Sequence, residues 1–243
     1  MKTIYYFILL LLPIVLITSC EDNTLSTNIS EAQANESQYI TIPTQSNLVV
    51  TNTNGIIYIS ASDTASNINC FITKIVQSLI SQDDAQSQLS QIIISVEKTT
   101  DDVNISVDNP QDDYRSYEID LNIVLPNKFN YSLFLGNGEI TIYATTKTLA
   151  ANLGNGNLYA EVTLIDTCYV SLLLGNGNMN LVIPETTNTR MNATVGNGNF
   201  YISDLNFQNQ QMTNKQFSGT LGNGCGSAVL SVGNGNLIVS KKQ

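Results

Sequence analysis

The tripeptide Gly-Asn-Gly recurs six times in the second half of this 243-residue chain. It stands at Gly136-Asn137-Gly138, Gly154-Asn155-Gly156, Gly175-Asn176-Gly177, Gly196-Asn197-Gly198, Gly222-Asn223-Gly224 and Gly233-Asn234-Gly235. Successive copies are 18, 21, 21, 26 and 11 residues apart. Periods near 20 point to a repeat architecture, in which each unit buries its apolar face only against its neighbours. The flanks repeat too. One and three residues before the triplet stand Leu135 and Leu133, Leu153 and Ala151, Leu174 and Leu172, Val195 and Ala193. After it comes a polar residue: Glu139, Asn157, Asn178, Asn199 or Asn236. Apolar residues then alternate, as in Ile140 and Ile142, Leu158 and Ala160, Met179 and Leu181, Phe200 and Ile202, Leu237 and Val239. Each unit reads as strand, corner, strand and a return loop of varying length, with one row of side chains inward and one outward.

A corner between strands favours residues that accept positive φ, and Gly followed by Asn do so best. Stacked corners would align the Asn amides into a hydrogen-bonded ladder. The fold class expected is therefore all-β: a single-stranded, β-helix-like solenoid with two strands per rung. A sandwich or meander built from six hairpins stays open, because Asn-Gly is also the strongest hairpin dipeptide. The repeat is uneven at Asn206–Phe217, a Gln/Asn-rich insertion. It is uneven again between Gly222 and Gly233, where the return is short and Cys225 takes the place of the usual Asn.

The stretch Tyr117–Ile142 resembles the family of exported bacterial β-solenoids known as putative adhesins. This includes the head-domain (GIN) type named from a Gly-Ile-Asn-like motif. The resemblance rests on the strand ending Leu125-Pro126, then Phe129 to Leu135, the first triplet, and Ile140–Ile142. It covers roughly residues 40–243 and is clearest over 117–240. It implies a β-helix-like fold and a role at the cell surface, and it supplies no catalytic residues.

Upstream, Leu48, Val50, Ile57 and Ile59 alternate around Asn52-Thr53-Asn54-Gly55, which reads as an Asn-Gly turn. Ile68, Phe71, Ile72, Ile75, Val76, Leu79 and Ile80 follow helical spacing, so one short helix is expected near 65–82. Strands resume at 91–98, 103–107 and 117–125. At the N-terminus, Lys2 precedes an apolar run, Ile4 to Ile17, and then Thr18-Ser19-Cys20. This is the pattern of an export signal, and Leu16–Cys20 resembles the lipobox of bacterial lipoproteins. The resemblance implies cleavage before Cys20 and lipid on its sulfur. The domains expected are a signal peptide (1–19), a lipidated polar tether (20–38), N-terminal β-rich rungs with a helical insertion (39–116), and the repeat solenoid (117–243). The site implied is the bacterial envelope, with the outer membrane favoured over the inner.

Ten basic residues face twenty acidic ones, a net charge of −10, which disfavours nucleic acid as a partner. His is absent, which excludes Ser-His-Asp and Cys-His catalysis. Cys70, Cys168 and Cys225 are irregularly spaced and read as small buried apolar residues, with one disulfide among the three open. Neither a metal site nor a cofactor is expected. Paired carboxylates could hydrolyse glycosides, but Glu139, Glu161, Asp166 and Glu185 read as scattered surface charges. An enzyme of the polysaccharide-degrading β-helix kind is thus the remote alternative. The third residue after each triplet should face outward: Thr141, Tyr159, Asn180, Tyr201 and Ile238. Of these, Tyr159, Asn180 and Tyr201 form the candidate binding column, suited to a protein or glycan surface. The triplets themselves read as structural corners. The function expected is a lipid-anchored, non-catalytic, adhesin-like protein. A structural or envelope-stress lipoprotein without an external ligand is the alternative.

Overall fold

Alternating apolar and polar residues form thirteen strands and one short helix in the computed structural model, which describes residues 29–243 apart from Pro43 and Lys128. In chain order these are β1 (Ser30–Ile40), β2 (Asn47–Ser62), β3 (Ile68–Ser78), α1 (Gln82–Gln88), β4 (Ile93–Lys98), β5 (Asp102–Asp108) and β6 (Arg115–Pro126). Then come β7 (Asn130–Ile183), β8 (Thr189–Asn197), β9 (Phe200–Ser203), β10 (Gln208–Met212), β11 (Gln216–Leu221), β12 (Gly226–Asn234) and β13 (Leu237–Lys241). The chain is all-β, and nine of its strands join in one open path, β1-β3-β6-β2-β7-β12-β8-β11-β10, with β4, β5, β9 and β13 pairing beside it. No described helix is long and apolar enough to cross a membrane.

The middle of this path is parallel. β2 pairs along its first half with β5, along its second half with β6, and along its whole length with β7. Asn52-Thr53-Asn54-Gly55 is therefore not a hairpin turn. The strand runs through it, with Asn54 level with Asn137 and Gly55 level with Gly138. A type I′ hairpin needs positive φ at both central residues. Here Gly55 has φ 121° and Asn54 is not among the positive-φ residues, so the chain turns a corner without reversing.

The parallel order departs from the sequence. β12 lies between β7 and β8: Leu230 pairs with Leu172 on one side and Ala193 on the other. β13 likewise lies between β7 and β9. The step from Gly175 to Gly196, regular in sequence, thus skips one level, and the last unit fills it. The buried column expected as Leu135, Leu153, Leu174 and Val195 includes Val232 between the last two, and all five are at most 3% exposed.

Antiparallel strands cover both ends. β3 and β1 extend β6, and β4 extends β5, at one end. β11 and β10 extend β8 at the other. The outer strands β1 and β10 are largely polar, which blunts pairing with other chains. β10 is exposed throughout.

Three expectations are corrected. The helix near 65–82 is instead strand β3, and the helix proper lies at Gln82–Gln88, capped by the Ser81 hydroxyl accepting from the Asp84 N–H at 3.1 Å. Ile68, Cys70, Ile72, Val76 and Ser78 are buried with period two, and the β-branched residues favour strand. The tether expected to reach residue 38 gives way to β1 at Ser30. Its polar side chains are matched across the strand pair: Gln77 donates to Glu31 (3.0 Å), Thr73 to Asn35 (3.0 Å), and Lys74 pairs with Glu36 (3.1 Å). Finally, the returns between the first three triplets are strand, since β7 is continuous over 54 residues. Thr146, fully buried, holds one such return by donating to the Phe129 carbonyl at 2.7 Å.

Candidate functional site

The corner residues stack. Each Asn donates its Nδ2 hydrogen to the Oδ1 of the Asn one level away: Asn137 to Asn54 (2.7 Å), Asn155 to Asn137 (2.7 Å), Asn176 to Asn155 (2.6 Å), Asn234 to Asn176 (2.6 Å) and Asn197 to Asn234 (2.7 Å). A second, looser row runs beside it through Asn157, Asn178, Asn236 and Asn199, at 3.1 to 3.4 Å. The glycines lie backbone against backbone. A Cβ on Gly156 would sit 1.7 Å from the Gly138 carbonyl oxygen, and one on Gly177 1.6 Å from that of Gly156. The same contact joins Gly138 to Gly55, Gly235 to Gly177 and Gly198 to Gly235, and the first glycines Gly136, Gly154, Gly175, Gly233 and Gly196 stack in parallel with them.

Gly222-Asn223-Gly224 does not join this column, contrary to its sequence. It forms a separate turn with φ 60° and 65° at its glycines, packed on Asn188 and Arg190. Asn52-Thr53-Asn54-Gly55 supplies the sixth level in its place. Both ends of the column are closed by side chains. Lys215 donates to the Gly198 carbonyl at 3.1 Å, and Asn52 donates to the Ile119 carbonyl at 2.7 Å.

The outward residues three positions beyond each second glycine run in the order Tyr58, Thr141, Tyr159, Asn180, Ile238, Tyr201 by strand register and ladder. The candidate column is thus split: Tyr159 and Asn180 are neighbours, while Ile238 separates Asn180 from Tyr201. Tyr159 belongs to a different group. Its ring centroid is 5.7 Å from that of Tyr143, which is 5.8 Å from that of Tyr58. The three tilted rings lie around Thr141, which is only 7% exposed despite its outward position. Tyr58 and Tyr143 were missed in the sequence. Tyr58 falls in a segment read as a hairpin, and Tyr143 in a supposed return. Burial and the neighbouring carboxylate raise the pKa of the Tyr159 phenol, which donates to Glu161 at 3.1 Å. The buried Asn180 Oδ1 has no protein donor among the described residues.

The four carboxylates weighed for hydrolysis each have local partners or geometry. Glu139 accepts from the Thr141 hydroxyl at 2.8 Å, and Glu161 pairs with Lys242 at 3.3 Å. Glu185 takes Lys241 and Asn206, and the Lys241 contact lowers its pKa. Asp166 lies within β7 at a positive φ of 55°. No cluster of metal-binding side chains occurs among the described residues. Cys70 and Cys168 are buried, Cys225 is exposed, and all three are free thiols; burial pushes the Cys70 thiol up to about 12. Cys20 lies outside the described residues.

No protein-family profile and no curated protein matches the chain. Among solved structures, it is similar to a putative cell adhesion protein from Clostridium sporogenes, with a TM-score of 0.53 and 14% identity over 87% of this chain and 100% of that one. This likeness defines the class, an all-β fold shared with that protein. It is also similar to putative adhesins from Bacteroides fragilis (TM-score 0.26, 9% identity, 85% of this chain and 97% of that one) and Parabacteroides merdae (0.28, 10%, 86% and 96%), likenesses too slight to carry an argument.

Proposed function

We propose that this chain is a lipid-anchored envelope protein whose all-β head makes non-catalytic, adhesin-like contact with a protein or glycan. The observation that carries the reading is the tyrosine group Tyr58, Tyr143 and Tyr159, with Asn180 beside it. Aromatic rings that also present hydroxyls suit contact surfaces that must be apolar and wet at once. The parallel ladder and stacked corners support a single-chain β-solenoid, in which the five stacked Gly-Asn-Gly triplets hold the architecture and bind nothing. The adhesion role carried by the name of the Clostridium sporogenes protein agrees with this reading.

In this reading the signal peptide, residues 1–19, is removed, and lipid on Cys20 holds the protein at the outer membrane. Nine residues from Cys20 to Ile29 span at most about 30 Å, so the β1 end of the head would lie close to the bilayer. Several acyl chains are needed for stable anchoring, where one would be marginal. The test is to label cells with a clickable fatty acid, fractionate them, and treat intact cells with protease. The wild-type protein should carry label, sediment with membranes and be cleaved from outside. Cys20→Ala should lose label and membrane recovery. Unchanged labelling and recovery in the variant would overturn the anchor, and full protection on intact cells would overturn surface display.

A further inference from the structure

The fifth Gly-Asn-Gly, Gly222-Asn223-Gly224, is left out of the corner column and holds a cysteine in place. The Cys225 N–H donates to Asn223 Oδ1 at 3.0 Å, and the Asn223 N–H donates to Asn188 Oδ1 at 2.9 Å. This turn delivers Cys225 to the carbonyl oxygen of Asn188, 3.9 Å from its Sγ. The Cys168 Sγ touches the same oxygen at 3.8 Å, and the Gly226 N–H donates to it at 3.0 Å. Cys168 also packs against the residue that follows Cys225: a Cβ on Gly226 would lie 2.5 Å from the Cys168 Sγ. Ser227 pairs with Tyr169 in the parallel ladder, so Gly226 is level with Cys168 and Cys225 is one residue before it. Cys225 lies just ahead of β12, so the turn and not strand alternation sets its side chain. With Gly226 level with Cys168, the two cysteine Cα atoms stand roughly 5–7 Å apart, within the span a disulfide bridges. Cys70 is remote from both, on β3 and level with Ile123 of β6.

We infer that Cys168 and Cys225 form a disulfide when the folded protein meets a disulfide oxidant, stapling the out-of-order strand β12 to β7. The two cysteines bracket the segment that leaves β7, passes through β8 to β11 and comes back to fill the skipped level. A bond between them would hold the last-inserted strand against its neighbour. The oxidant is a second disulfide, from a thiol–disulfide oxidoreductase or oxidised glutathione. The exposed Cys225 loses its proton to water, and its thiolate attacks one oxidant sulfur. The oxidant S–S bond breaks, and its other sulfur leaves as a thiolate that takes up a proton. Cys168 then loses its proton and attacks the Cys225 Sγ of the mixed disulfide, releasing the remaining oxidant sulfur as a thiolate that also takes up a proton. Two thiols are oxidised and one disulfide is reduced to two thiols, so protons and electrons balance. Burial raises the pKa of the Cys168 thiol, which suits Cys225 as the first attacker.

Exposure to such an oxidant in cells rests on the export reading; the geometry does not. The chain purified as cells process it is reduced, freed of reductant while folded, and exposed to oxidised glutathione. It is then quenched in acid, alkylated, and digested without reduction for mass spectrometry. The expected product is one linked peptide pair containing Cys168 and Cys225, lighter by two hydrogens, with Cys70 alkylated only after denaturation. Reductant should lower the melting temperature of the oxidised wild type by roughly 5–15 °C and leave Cys225→Ser unmoved. Free alkylatable Cys168 and Cys225, a persistent glutathione adduct on Cys225, or a bond using Cys70 or Cys20 would overturn the assignment. Rapid closure in vitro together with free thiols in directly alkylated cells would support the pairing and count against export.

Discussion

Gly156→Ala should be among the most damaging single-atom changes in this chain. The added Cβ would stand 1.7 Å from the Gly138 oxygen and 2.8 Å from its carbonyl carbon, both backbone atoms that cannot swing aside. Relief requires the two levels to part by more than an ångström. That would break the Asn155–Asn137 bond, now 2.7 Å, and strain the neighbouring ladder bonds. The φ of 135° adds its own penalty for an L side chain. Strain of about 1–3 kcal/mol and two or three lost hydrogen bonds at about 1 kcal/mol each give about 3–6 kcal/mol in all. That is a large share of the 5–15 kcal/mol typical of a folded domain. Gly222→Ala is the comparison. Its φ of 60° costs an L residue about 1–2 kcal/mol. Its closest contact is a side-chain atom, Asn188 Oδ1 at 2.2 Å, which can shift at the loss of its bond from the Asn223 N–H, so about 2–3 kcal/mol is expected. Urea melts followed by circular dichroism compare the two. A Gly156→Ala shift no larger than that of Gly222→Ala would refute the stacked-corner reasoning.

Three further outcomes follow from the same geometry. Leu153→Ala and Leu174→Ala should each cost about 2–5 kcal/mol, the usual range for truncating a buried leucine, whereas exposed Tyr201→Ser should stay within about 0.5 kcal/mol; denaturant midpoints check the ranking. Asn176→Asp loses the donor to Asn155 Oδ1 and should cost about 1–2 kcal/mol. Adding Asn155→Asp should cost more than the sum of the two singles, by a margin that shrinks in salt, as a double-mutant cycle would show. Asp84 is held at a pKa of about 2 by its paired bonds to Arg115 at 2.8 Å and by the Ser78 hydroxyl. A folded-state pKa below the unfolded value contributes stability that is present above pH 4 and lost as pH falls toward 2. Melting temperatures between pH 5 and pH 2 should therefore fall less steeply for Asp84→Asn than for the wild type.

The parts legible in the sequence are those set by local chemistry. Glycine pairs at fixed spacing announce backbone contact, and the rows through Leu153 and Leu158 announce which side is inward. The missed parts depend on long-range pairing. The residues Ile68–Ser78 satisfy both helical and period-two templates, and only their β-branched content and pairing with β6 decide for strand. β1 carries almost no apolar signal, because it is held by backbone bonds and polar cross-strand pairs at an edge. The insertion of β12 between β7 and β8 could not be read from spacing, since the 21-residue step to Gly196 looked contiguous. The tyrosine group was half visible. Asn54-Gly55, flanked by Val50 and Ile57, already matches the corner pattern, and aligning it would have set Tyr58 beside Thr141. Tyr143 lay beyond the aligned core in a segment that looked like loop.

Contact through the tyrosine face is tested most directly by measuring binding of the purified head to arrayed glycans and cell-surface proteins, wild type against a Tyr58→Ser, Tyr143→Ser, Tyr159→Ser triple variant. A ligand bound by the wild type should be lost or weakened at least tenfold in the variant, which should melt at a lower temperature but stay folded by circular dichroism at the assay temperature. Undiminished binding by a stably folded triple variant would contradict the assignment of this face.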